Sequence, residues 1–299
     1  MLRLRGEVKL PAHLADGGFD HGDVHLPTGR VFIAHTANGT VEVIDGAKLE
    51  HLATIDGCAE ASGVLCDPDG HLVIAAARGA GQILAIDPTT HSVQRKISVG
   101  GRPNGLAWDS RRQRVLVADV AGNTVSIVEP STGRIQVTSS LPGRPRWAGY
   151  ESTTDRYLVN VRTPSMVAVI DAESGNIRNT WPVSSSGPHG LDIDHIAGRA
   201  YVACDGGRLV CLDSTSGQEV GSVEIAGGPD AIWFNPAKDH VYVAIGDPGL
   251  LQVVDTKEMA VIQTIETGAG TQTTAFDAKR QDLFIFRPST CSVLAYAVN

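Results

Sequence analysis

Short apolar runs recur along the chain at a fixed interval, and that interval restricts the fold more than any other property of the sequence. The runs VFIAH (31–35), VIAAA (73–77), VLVAD (115–119), YLVNV (157–161), AYVAC (200–204), VYVAI (241–245) and LFIFR (283–287) open the series. Each is followed, about ten residues later, by a second run: VEVID, ILAID, VSIVE, VAVID, LVCLD, LQVVD and VLAYA. Asp45, Asp87, Glu129, Asp171, Asp213 and Asp255 close the first six of these at intervals of 42 residues, and Ala297 ends the seventh at the same spacing.

The runs are short, rich in β-branched residues and bounded by Gly, Pro, Asn and Asp, which is strand-and-turn chemistry. No window sustains a helical period. A unit of about this length holding four short strands is a β-propeller blade. The fourth strands read LEHLATI, SVQRKISV, RIQVTSS, NIRNTWPV, EVGSVEI and AVIQTIE, which is one too few for seven blades. The missing strand is expected from LRGEVKLP (4–11), which would complete blade seven and remove its exposed edge. The expected fold is therefore all-β: one seven-bladed β-propeller domain over residues 1–299, with four-stranded antiparallel blades.

The acids that end the third strands precede Ser, Thr and Gly, as in IDPTTH, IDAESG and LDSTSG. Their carboxylates are expected to hold hairpin turns, because six copies spaced around a ring cannot converge on one site.

These units resemble the YVTN-type propeller repeat, in which a strand like VYVA is followed by a gapped turn, a VxVID strand and a Ser/Thr-Gly turn. The resemblance covers nearly the whole chain. It implies the fold and leaves the activity open, since propellers host binding, scaffolding and catalysis alike.

Overall charge narrows the partners. A formal charge of −8 and a pI near 5.6 argue against nucleic acid and acidic membrane surfaces, which require basic protein surface. No stretch reaches the 18 apolar residues of a membrane span, and the N-terminal segment has no secretory apolar core. Five cysteines without metal-ligand spacing suit reduced, buried thiols in a cytoplasmic protein. A monomer acting on a small-molecule ligand is the expectation.

Comparison of the units isolates what the fold does not require. Before each innermost strand the connecting loop reads GGFDHGDV, CAEASGVL, GGRPNGLA, PGRPRWAG, SSGPHGLD, AGGPDAIW and GAGTQTTA. One aligned position holds His21, Ser62, Asn104, Arg146, His189, Asp230 and Gln272: polar in every blade and different in nearly every one. Propeller topology places these loops around one mouth of the central channel. Varied polar groups aimed at one point suit a binding surface. The ends of the second strands lie on the same face and add His35, Arg78, Asp119, Arg162, Asp205 and Arg287.

Two classes of function follow. In the first, His189 and Asp205 form a catalytic pair, the imidazole being the acid–base group and the carboxylate its orienting partner. His21, His35 and Asp119 are candidate ligands of a divalent metal ion, while Asn104, Arg146, Trp147, Asp230, Gln272, Arg78 and Arg287 are candidate contacts to an anionic substrate. The PHG of blade five and the acid ending VACD are similar to virginiamycin B lyase, a metal-dependent propeller family. That resemblance implies roles for His189 and Asp205 alone. Gluconolactonase-like lactone hydrolases are a related possibility, with Asn104 and Asp119 or Asp205 as cation ligands. In the second class the same face binds a small molecule or a protein without catalysis, with Trp147 as its aromatic contact.

Overall fold

The computed structural model describes residues 1–299 as seven four-stranded antiparallel sheets. The strands alternate buried and turn-bounded segments as the sequence spacing requires. Blade one comprises β2 (Gly22–His25), β3 (Arg30–His35), β4 (Thr40–Asp45) and β5 (Glu50–Ile55), paired in that order from the axis outward. Blades two to six repeat the pattern from inner strands β6 (Ala61–Cys66), β10 (Pro103–Asp109), β14 (Pro145–Glu151), β18 (Pro188–Asp194) and β22 (Gly228–Asn235).

Blade seven contains β26 (Thr274–Asp277), β27 (Asp282–Arg287) and β28 (Ser292–Val298), and its outer strand is β1 from the other end of the chain. β1 spans Leu2–Lys9, so it begins two residues earlier than the run 4–11 suggested, and it pairs antiparallel with β28 from Leu2 opposite Val298 to Lys9 opposite Ser292. A register shift between Leu4 and Gly6 lets the strand bend with the ring. The Arg5 guanidinium fastens the seam by bonding Asp282 and the carbonyls of Gly46 and Ala47 in blade one.

Hydrophobic burial is divided among seven clusters, and each joins two adjacent blades rather than filling one centre. Strand alternation explains this, because successive side chains point to opposite faces of a sheet and every blade has a neighbour on both. In β7 (Val73–Ala77), for example, Val73, Ala75 and Ala77 pack toward blade one, whereas Ile74 and Ala76 pack toward blade three.

The acids closing the third strands hold turns, as their sequence context predicts. Asp45 Oδ1 accepts the amides of Ala47 and Lys48, and Asp87, Asp213 and Asp255 repeat the contact. All five cysteines are free thiols, Cys204 and Cys211 included. No helix is long and apolar enough to cross a membrane.

Candidate functional site

Strand register fixes which residues face the channel mouth. Gly22, Val64, Leu106, Ala148, Leu191, Ile232 and Thr274 occupy equivalent positions, each opposite the corresponding residue of its second strand. Two residues earlier come Asp20, Ser62, Asn104, Arg146, His189, Asp230 and Gln272. The blade-one member of the polar column is therefore Asp20. His21, which the sequence comparison placed there, belongs one position further along. Blade one begins its inner strand at Gly22 and lacks the proline and bulge that mark this point in blades three to six, so residue-type matching slipped by one.

Asp20, His21, Arg78, Asn104, Arg146, His189, Asp230 and Gln272 line a cavity of about 270 Å³ at this mouth. Of the expected site residues, Arg78, Asn104, Arg146, His189, Asp230, Gln272 and His21 thus converge. Asp205 stands just behind them.

Charges alternate across the mouth. Arg78 Nη1 is 3.3 Å from Asp20 Oδ2, and Asp20 Oδ1 is 2.9 Å from His21 Nδ1. His21 Nε2 and His189 Nε2 approach the same oxygen, Asp230 Oδ1, at 3.3 and 3.0 Å. His189 Nδ1 is 3.0 Å from Asp205 Oδ1, and Arg162 Nε closes the series 2.6 Å from Asp205 Oδ2. Each imidazole lies between two carboxylates. Burial alone would depress both histidines, but the acids outweigh it: His21 is pushed up to about 9, and His189 is also raised. Burial works in the other direction on Asp230, yet His189 and His21 hold it well below the usual carboxylate range.

Arg146 differs from the other cations. It is largely buried in the cavity wall, its Nε has no hydrogen-bond partner, and it forms no ion pair. Burial lowers its pKa, as expected of a cation without a bonded counter-charge. The positions following the polar column are otherwise small. A Cβ on Gly63 would lie 2.0 Å from the Asn104 carbonyl, and one on Gly105 would lie 2.1 Å from that of Arg146. Only blades one and four place large side chains here, His21 and Trp147, and their rings meet edge to face with centroids 4.0 Å apart. Trp147 therefore belongs to the wall beneath the polar cavity, lining an apolar chamber on its other side.

Three expected site residues are placed elsewhere. His35 is fully buried within blade one, with Nδ1 3.0 Å from Glu42 Oε1 and Nε2 2.7 Å from His13 Nδ1. Asp119 Oδ1 accepts the amides of Arg102 and Ala121, which makes it a loop clasp. Arg287 donates through Nε to the Thr267 carbonyl and faces Glu7. All three end second strands, where their side chains are taken up by neighbouring strands and loops instead of reaching the axis.

The sequence comparison missed Asp20, and its signal was present. Asp20, Ser62, Asn104 and Arg146 are spaced at the 42-residue period, whereas His21 to Ser62 is one short. Asp20, His21 and Asp230 also form the one group of potential ligands whose donor atoms all lie within 4.8 Å of one another. Compared with known proteins, the chain matches no family model and no curated sequence.

Proposed function

We propose that the channel mouth binds a small anionic molecule carrying a carbonyl group, and that His189 serves there as the acid–base group of a lactonase-like hydrolysis or a C–O elimination. Arg146 carries the reading. A largely buried guanidinium with no bonded counter-ion beside an open polar cavity is a ready partner for a carboxylate, which it can grip in bidentate fashion. Asn104, Arg78 and Gln272 supply neutral and charged donors around it.

His189 suits proton transfer because Asp205 orients Nδ1 while Nε2 faces the cavity beside Asp230. Against the opposing effect of burial, Asp230 and Asp205 raise the His189 pKa and favour the imidazolium, the form that donates to a leaving oxygen. Neutral imidazole first takes a proton from the water that adds to the carbonyl, or from the carbon next to the carbonyl, and the imidazolium so formed gives that proton to the oxygen that leaves as the C–O bond breaks.

A second reading adds a divalent cation held by Asp20, His21 and Asp230, favoured by the closeness of their donor atoms. Such an ion would polarise the substrate carbonyl. The resemblance of His189 and Asp205 to the lyase pattern, and the related lactonase possibility, favour the same face.

Calorimetric titration with small hydroxy acids and their lactones tests the proposal. Wild type should bind or turn over at least one, Arg146→Met should weaken carboxylate binding roughly tenfold or more, and His189→Gln should retain binding while losing turnover. Binding with no turnover of any lactone, together with an unchanged affinity in His189→Gln, would identify a non-catalytic ligand-binding propeller. Absence of binding to every acid tested would overturn the assignment.

A further inference from the structure

The inner strands bury a second site on the far side of Trp147. One position beyond the register reference, the channel-facing column reads Asp23, Leu65, Ala107, Gly149, Asp192, Trp233 and Ala275. Two carboxylates thus enter a tunnel whose inner part is otherwise apolar, while its outer part also meets His195 and Asp67, the latter engaged by the amides of Gly70, His71 and Leu72. The tunnel consists of a chamber of about 180 Å³ and an adjoining one of about 300 Å³, which share Asp23, Cys66, Pro68, Asp192 and Trp233. The second chamber reaches Leu26 and His195, in turns on the face opposite the polar mouth, so the tunnel opens there.

Its wall is aromatic. Trp108, Trp147, Tyr150 and Trp233 line the inner chamber alongside aliphatic side chains. Trp233 is oriented by donating Nε1–H to the Thr274 carbonyl. The indole nitrogens of Trp108 and Trp147 have no acceptor, and Trp108 is 7% exposed. The carboxylates are positioned by the backbone: Asp23 Oδ2 accepts the Cys66 amide and Asp192 Oδ2 the Phe234 amide, each from the next blade. Neither pairs with a lysine or arginine. Burial and their mutual repulsion push Asp23 up to about 7, and burial pushes Asp192 to about 6.

Blade-to-blade bracing accounts for the two hydrogen bonds. It does not account for carboxylates, since an asparagine or serine would accept an amide at lower desolvation cost. A cation arriving with its own apolar body would compensate the charge and fill the chamber, and the aromatic wall favours it further. We propose that the central tunnel binds a small amphiphilic amine, its ammonium between Asp23 and Asp192 and its apolar part against Trp108, Trp147, Tyr150 and Trp233.

The test uses the full chain and phenethylamine, with 2-phenylethanol and 3-phenylpropionate as neutral and anionic counterparts of similar shape, titrated by calorimetry at pH 8. The amine should bind at least tenfold more tightly than either counterpart. Asp192→Asn should remove that preference while keeping an acceptor for the Phe234 amide, and a melting curve establishes that the variant is folded. Trp233→Leu should weaken the amine with the charge pair intact. His189→Gln and Arg146→Met, at the other mouth, should leave amine binding unchanged, which separates this site from the polar one. Equal affinity for amine and alcohol, absence of amine binding, or full amine affinity in folded Asp192→Asn would each overturn the proposal.

Discussion

The imidazole of His21 and the indole of Trp147 meet edge to face across the propeller axis with centroids 4.0 Å apart, and this contact separates a polar cavity from an apolar one. Blades one and four lie on opposite sides of the ring, so one aromatic contact spans the channel. Trp147→Ala should cost about 2–4 kcal/mol, combining lost burial with the lost aromatic contact. Urea denaturation measures it. A cost below about 1 kcal/mol would mean that the partition is not a packed element.

Asp23 and Asp192 make stability fall with rising pH. Their carboxyls ionise in the folded state near 7 and 6, against 3.8 ordinarily, so the native protein retains protons that the unfolded chain has already released. Stability contributed by the neutral acids is complete below about 4 and is lost as pH rises through 6 to 7. Asp23→Asn should therefore gain in melting temperature relative to wild type between pH 5 and pH 8. Scanning calorimetry at the two values gives the sign, and a constant difference would show that the Asp23 charge is not desolvated.

Glu42 anchors blade one. Its buried carboxylate takes hydrogen bonds from His35, His51, Thr40 and Thr54, which hold it down to about 2 despite the opposing effect of burial. Glu42→Ala leaves those groups without their acceptor and should cost about 3–5 kcal/mol. Glu42→Gln, which keeps one oxygen, should cost less. Equal losses in chemical denaturation would contradict this account of the contact.

A divalent cation at Asp20, His21 and Asp230 has a direct signature. Adding Zn²⁺ or Mn²⁺ should raise the melting temperature, EDTA should reverse the gain, and Asp230→Asn should abolish it, because a ligand of the native state alone stabilises by mass action. Cation binding should also release a proton, since His21 must lose its own to coordinate. No shift with any cation would leave the Arg146 anion site as the sole function of the mouth.

Removing residues 1–9 should expose the edge of β28 and leave blade seven with three strands. A melting temperature lower by more than about 10 °C and concentration-dependent self-association on gel filtration are expected. A truncated chain that stays monomeric with unchanged melting would show that β1 is dispensable.

The ring was legible because its cause is periodic. A 42-residue interval fixes which residues pair, and β-branched runs fix which faces are buried, so seven blades and the closing strand follow without tertiary information. The mouth was legible in part, because topology brings one column to one place whatever its side chains are. His189, Arg146 and Asp230 were found that way. His35 and Asp119 were misplaced because topology gives the position of a Cα and not the direction of a side chain. Whether a rim residue reaches the axis depends on local hydrogen-bond partners, here the Glu42 carboxylate for His35 and the donating Arg102 amide for Asp119. Asp20 was passed over because its neighbour is a histidine, and matching by residue type overrode the count.

The β1–β28 pairing sets Leu2 beside Val298, and the first amino group bonds the carbonyl of Asn299 at 3.0 Å. Covalent order and spatial order therefore part company at the seam: the circle of blades has no natural first member, and the backbone break is only one of seven places where it could fall. Joined head to tail by a short linker and reopened between β9 (Val93–Ser98) and β10, the same residues would describe the same ring from a new origin. Labels, fused domains or surface tethers attached at either end would emerge from one point on the circumference, and both chambers of the channel would keep their full set of walls.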